Sequence, residues 1–189
     1  MELILASSSP RRQELLRAAK IPFSVRPSNV PEEPFPGETP LQFTARLAQE
    51  KASAIWPTLT RTQDVIVLGA DTIVVVDDEI LGKPVDSDDA ARMLRMMSNR
   101  SHQVITSVCV IDSHGRDVRS ETTVVTVNEL SAKDIAEYIA SGEPMDKAGA
   151  YGIQGMASRF IPRIQGDYTN IVGLPITLVC GMLKERGYL

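Results

Sequence analysis

Between Val65 and Val76 the chain runs Val65-Ile66-Val67-Leu68-Gly69-Ala70-Asp71-Thr72-Ile73-Val74-Val75-Val76, an apolar stretch that reads as a strand buried on both faces. Asp71 breaks the pattern. An unpaired carboxylate in such a strand costs on the order of several kcal/mol, so a cation, a metal or a set of N–H donors must meet it. A structural ion pair with an arginine would satisfy it, and so would a functional site. Gly69, on the same strand face, clears room for an approaching group and favours the functional reading. Strict alternation sends Thr72 to the face opposite Asp71, so both can touch one ligand only near a strand end or a bulge.

Strand-like runs at 2–6, 65–76, 103–112, 117–128 and about 159–165 alternate with helical patterns at 10–19, 40–56, 88–97, 131–141 and 175–186. The fold class is α/β. Ser113-His114-Gly115 and Asp77-Asp78 read as hairpin turns, so some strand pairs are antiparallel and the sheet flanked by these helices is mixed. Thr39-Pro40-Leu41-Gln42 forms a capping box with proline at the first helical position, and Ser131 has Asp134 three residues on. The length of 189 residues, with 43% hydrophobic and 23% charged, fits a single globular domain over 1–189, or one domain with a small lobe, and excludes disorder, collagen and coiled coil as the main state. Pro27 to Gly37 is a proline-rich irregular loop carrying Glu32 and Glu33.

The first strand and helix place cations where an anion belongs. Ser9 reads as the N-cap and Pro10 as the first helical residue, which sets Arg11 and Arg12 in the first turn against the positive end of the helix macrodipole. A bound phosphate would reverse that penalty; two solvated arginines are the plain alternative. Lys51 is a second anomaly, lying within the apolar arc formed by Leu41, Ala45, Leu47, Ala48, Ala52 and Ile55. It either snorkels to solvent or points its ammonium at Asp71 or an anionic ligand. Lys83 sits on a loop stiffened by Gly82 and Pro84. Ala148-Gly149-Ala150-Tyr151-Gly152-Ile153-Gln154-Gly155 matches no phosphate-binding fingerprint; it is a glycine-rich turn, or a backbone that lets a planar ligand approach with Gln154 facing a base edge.

The net charge of −4 argues against general nucleic-acid binding. Cys109 and Cys180 lack metal-ligand spacing and read as buried thiols rather than a disulfide. His102 and His114 give zinc chemistry or a histidine-based triad little to work with. Leu3-Ile4-Leu5 is too short for a signal peptide and no stretch approaches a membrane span, which leads to the expectation of a soluble, cytoplasmic protein. The remaining inventory of acids, arginines and lysines suits a phosphate ester or anhydride handled through Mg²⁺ or Mn²⁺.

Six segments, Ala6 to Arg12, Arg46 to Ala52, Gly69 to Thr72, Gly82 to Pro84, Ala148 to Gly155 and Gly166 to Pro175, together resemble the Maf family, in order along the whole chain. The resemblance implies an α/β fold similar to inosine triphosphatases, with a mixed twisted sheet and a cleft for a nucleotide. It implies cleavage of a nucleoside triphosphate to monophosphate and pyrophosphate with a divalent metal, Mg²⁺ or Mn²⁺. The segment through Gln154 looks like the subgroup acting on dTTP and UTP. By resemblance, Asp71 is the general base, Arg11, Thr72 and Gln154 set substrate choice, and Arg12, Lys51 and Lys83 bind phosphates. Glu32 and Asp71 are the implied metal ligands, although Pro31 stands where many members carry another acid. A homodimer is also expected, by resemblance and by the frequency of two-fold assemblies. The family's association with septum formation offers the rival expectation of a nucleotide-binding regulator of cell division with little turnover.

Overall fold

The computed structural model describes residues 1–59 and 64–189. The elements run β1 (Glu2–Leu5), α1 (Pro10–Ala18), β2 (Ser24–Val25), α2 (Pro40–Ile55), β3 (Val65–Val76), β4 (Glu79–Leu81) and α3 (Ser87–Met97) in the first half. The second half continues with β5 (Arg100–Asp112), β6 (Gly115–Val127), α4 (Ala132–Ala140), β7 (Arg163–Gln165), α5 (Tyr168–Val172) and α6 (Ile176–Glu185). Strand order is β2-β1-β3-β5-β6-β7, with β4 paired to β3. The sheet is mixed, as expected: β1 pairs in parallel with β2 and β3, whereas β3–β4 and β6–β7 are antiparallel. The chain divides into two compact units, one of Met1–Thr72, Thr106–Glu121 and Gly173–Leu189, the other of Ile73–Ile105 and Thr122–Val172.

In the first unit the period-2 alternation of β1 and β3 sorts side chains into two cores. Leu3, Leu5, Ile66, Leu68 and Ala70 pack with Leu16 of α1 and with Val179, Met182 and Leu183 of α6. Ile4 and Val67 face the other way, onto Ala48, Ala52 and Ile55 of α2. A sheet buried on both faces explains why β3 reads as a continuous apolar run. Gly69 lies on the α2 side, where a Cβ would collide with the Ala48 carbonyl oxygen and sit 2.7 Å from the Ala52 nitrogen. The room Gly69 clears is therefore taken by the α2 backbone itself, not by a ligand.

The second unit has its own core, in which Val74, Leu81, Met93, Leu94, Met97, Val125, Ile135 and Tyr138 are buried together. Asp77 and Asp78, at φ of 49° and 66°, make the β3–β4 turn in the left-handed conformation such tight hairpins require.

Capping follows the sequence at α2 and α4, where Thr39 with Gln42 and Ser131 with Asp134 close reciprocal boxes. Ser9 departs from expectation. It occupies the N-cap position of α1, yet its side chain makes no capping bond. Leu41 also departs: it is 50% exposed, and the buried arc of α2 runs instead through Phe43, Thr44, Leu47, Ala48, Lys51, Ala52 and Ile55. The run at 159–165 shortens to β7, because 156–160 forms 3-10 turns and Pro162 has no N–H to donate to a ladder. The short β2 and α5 add to the elements the sequence pattern marks, each being too brief to show a period. Cys109 is buried and Cys180 half-buried, both unbridged. No helix among the described residues is long and apolar enough to cross a membrane.

Candidate active site

The pairing of β1 with β3 ends at Leu5 opposite Leu68, and β3 runs on past it. Asp71 lies just beyond that end, on the side of open parallel sheets where ligands commonly bind. Alternation puts Val67, Gly69 and Asp71 on the α2 face. Because Gly69 lets α2 approach closely, the fourth turn of that helix delivers Lys51 to Asp71: Lys51 Nζ donates to Asp71 Oδ1 at 2.7 Å. Lys51 is 8% and Asp71 5% exposed. Lys51 therefore does not snorkel to solvent. Its ammonium also meets Glu32 Oε1 at 2.6 Å, and the Glu32 side chain is 55% exposed. Asp71 Oδ2 is buried and has no hydrogen-bond partner among the described residues.

Thr72 points to the other face, toward Arg12. That arginine, 9% exposed, is not a solvated surface cation. Its Nε donates to the Gly173 carbonyl at 2.8 Å, one terminal nitrogen to Ser7 Oγ at 3.1 Å and the Ala70 carbonyl at 2.8 Å, and the other to Thr72 Oγ1 at 3.1 Å. Burial lowers the Arg12 pKa, opposed by the charges of Asp71 and Glu32 and reinforced by neighbouring Arg11. Arg12 thus holds the β1–α1 junction, β3 and the backbone before α6 in one geometry, with four of its five N–H groups occupied. Arg11 is half-buried beside it in the first turn of α1.

The loop carrying Glu32 is held by Arg46. Its guanidinium grips Glu38 at 2.7 and 2.8 Å, reaches Glu50 at 3.2 Å and the Glu33 carbonyl at 2.9 Å, and stacks 3.9 Å from the Phe35 ring centroid. In the sequence Arg46 opens one of the six family-like segments, with no role of its own. The nearby signal was an arginine four residues before Glu50 and eight after Glu38.

Lys83 and Gln154 belong to the second unit, and both are exposed. Within that unit the Gly149 N–H donates to the Gly82 carbonyl at 3.0 Å, tying the glycine-rich segment to the Lys83 loop. Gly149 has φ of 68° and lies against Val74, so a side chain there would meet both strain and collision.

Fold and site define an α/β protein with a buried acid, a buried lysine and a buried arginine gathered where parallel strands end. The chain belongs to the Maf family: the family model described as Maf-like protein matches residues 2–186. It is 53% identical over 189 residues to the dTTP/UTP pyrophosphatase of Koribacter versatilis (strain Ellin345), covering 100% of this chain and 96% of that protein. It is 51% identical over 185 residues to the dTTP/UTP pyrophosphatase of Syntrophomonas wolfei subsp. wolfei, covering 97% and 96% respectively. Among solved structures, the Staphylococcus aureus Ham1 protein aligns with a TM-score of 0.49 at 14% identity, over 98% of this chain and 100% of that one.

Proposed function

We propose that the chain hydrolyses the α–β phosphoanhydride of nucleoside triphosphates, with dTTP and UTP preferred, to give the nucleoside monophosphate and pyrophosphate. The observation that carries this is the buried Asp71–Lys51 pair, met at its rim by Glu32, in a Maf chain about half identical to proteins named for that reaction.

Asp71 Oδ2, buried and without a partner, is the atom suited to take a proton from water as the oxygen attacks the α-phosphorus. The bond from that phosphorus to the bridging oxygen breaks, and pyrophosphate leaves with the bonding electrons. Lys51 and Lys83 supply positive charge for the phosphates. Arg12, with one N–H left, acts more through its charge than through many direct bonds. Arg11, Thr72 and Gln154 set substrate choice, with Gln154 offering a donor and an acceptor to the base.

Asp71 and Glu32 would hold the divalent metal. The fit rests on the Glu32 and Asp71 carboxylates meeting the same Lys51 ammonium, which brings two acids to one point. Among the described residues no three His, Cys, Asp or Glu side chains form a metal cage. Two carboxylates completed by phosphate oxygens and water match Mg²⁺ or Mn²⁺. When bound, the metal would neutralise charge on the triphosphate. A chain acting on the free nucleotide pool would work in the cytoplasm, and a homodimer is part of the same proposal.

The test is product analysis with each common ribo- and deoxyribonucleoside triphosphate, with Mg²⁺, Mn²⁺ or chelator. Metal-dependent release of pyrophosphate and monophosphate, fastest with dTTP or UTP, is expected. Diphosphate and inorganic phosphate as products would move the cleavage to the terminal anhydride. Nucleotide binding without turnover would restore the regulatory reading.

A further inference from the structure

Gln154 is exposed at the tip of a turn closed by the Gly155 N–H donating to the Gly152 carbonyl at 3.2 Å. Both sides of this turn are tied to one pair of side chains. Tyr138, fully buried on α4, accepts a bond from the Gly152 N–H at 3.1 Å and donates to Glu143 Oε1 at 2.8 Å. Glu143 Oε2 accepts from the Met156 N–H at 3.0 Å. A single hydroxyl–carboxylate unit thereby fixes the backbone two residues before and two residues after Gln154.

The glycines complete the fit. A Cβ at Gly155 would overlap the Glu143 carboxylate, and one at Gly152 would lie 2.6 Å from Lys147 Cε. Lys147 is itself immobilised, its Nζ donating to the Glu143 carbonyl and meeting Asp146 Oδ1, both at 2.7 Å. The turn therefore rests on a packed floor rather than on solvent, although Gln154 itself is exposed.

We infer that Tyr138 and Glu143 are positioning residues for base selection, holding the turn so that the Gln154 amide meets the nucleobase at one angle. A turn held only at its ends by water would let the amide sample several orientations, and a donor–acceptor pair discriminates bases only when its direction is set. The inference rests on the proposed reading of Gln154 as the residue that faces the base.

The test compares Tyr138→Phe, Glu143→Gln and Gln154→Ala in the full chain, measuring kcat and KM for dTTP, UTP, CTP and GTP. Amide exchange at Gly152 and Met156 is followed in parallel. Tyr138→Phe keeps the ring, and Glu143→Gln changes a half-buried group, so a folding failure in one leaves the other to decide. Each is expected to reduce the preference for dTTP and UTP about three- to tenfold, the scale of one lost hydrogen bond, with the loss falling on KM more than on kcat and with faster exchange at the two amides. If Gln154→Ala loses the preference while the other two keep it, the positioning role is wrong and the reading of Gln154 stands. An equal fall in kcat on all four substrates with the preference intact would reduce Tyr138 and Glu143 to scaffold. An intact preference in Gln154→Ala would remove both the reading and the inference.

Discussion

Lys51 Nζ and Asp71 Oδ1 meet at 2.7 Å with both side chains buried, one from the fourth turn of α2 and the other from the middle of β3. Neither charge has enough water to stand alone. Removing the lysine leaves a buried carboxylate with its nearest cation gone, so Lys51→Met is expected to cost about 3 kcal/mol of stability. The double variant Lys51→Met with Asp71→Asn leaves no uncompensated buried charge, Glu32 being half-exposed to solvent, and should be more stable than the single one. Urea unfolding of the three proteins checks this; a single variant as stable as the double would mean that the pair is not the partner each needs.

Asp71→Asn keeps the shape of the side chain and a hydrogen-bond acceptor for Lys51, and removes the base. The fold should survive while turnover of dTTP falls about a hundredfold or more, the usual scale for a lost general base. Circular dichroism and steady-state rates suffice. A rate near that of the wild type would take Asp71 out of that role.

Gly69→Ala puts a methyl group into the α2 backbone at Ala48 and Ala52. Main chain cannot step aside as a flexible side chain can, so the expected penalty is about 1–3 kcal/mol or more, with α2 pushed outward. The displacement carries Lys51 away from Asp71, and activity should fall along with the denaturation midpoint. Loss of stability with full activity would show that the helix position does not matter to the site.

Arg46→Lys retains the charge and loses the fork that grips Glu38 together with the stacking on Phe35. The segment from Glu33 to Glu38 should then be cut faster in limited proteolysis, and the metal concentration needed for half-maximal activity should rise, because Glu32 rides on that loop. Unchanged cleavage would mean the loop is held by something other than Arg46.

His102 is buried against Tyr151, with Nε2 2.7 Å from the tyrosine hydroxyl, and burial lowers its pKa from 6.5 to about 4. Between those values the unfolded chain binds a proton at this residue and the folded chain does not. Its contribution to stability is therefore complete above pH 6.5 and is lost as the pH falls toward 4, by about 3 kcal/mol in total. Carboxylates common to both proteins cancel in a comparison with His102→Gln. The wild type should lose more unfolding free energy than the variant over this interval; equal losses would rule out the buried neutral state.

Several features that depend on neighbours in the chain were legible in the residues, although the side-chain cap expected at Ser9 does not form. The period of β3, the capping boxes at Thr39 and Ser131, the left-handed turn at Asp77 and Asp78, and the opposite faces of Asp71 and Thr72 all follow from backbone geometry and near neighbours. Asp71 stood out for the same reason, as a charge inside a run whose period leaves no wet face. The partner of each anomaly was another matter. That Gly69 is filled by a helix, that Lys51 turns inward between Asp71 and Glu32, and that Arg12 is spent on carbonyls as distant as Gly173 depend on which surfaces the sheet register brings together. Tyr138 and Glu143 look like a helix residue and a loop acid until folding sets them under Gly152 and Met156. By itself the sequence determined where the longer strands and helices form and which residues are out of place in them, because propensity, periodicity and capping act over a few residues. Only the tertiary structure decided what those residues meet, because long-range pairing is set by packing and register, to which local physics is blind.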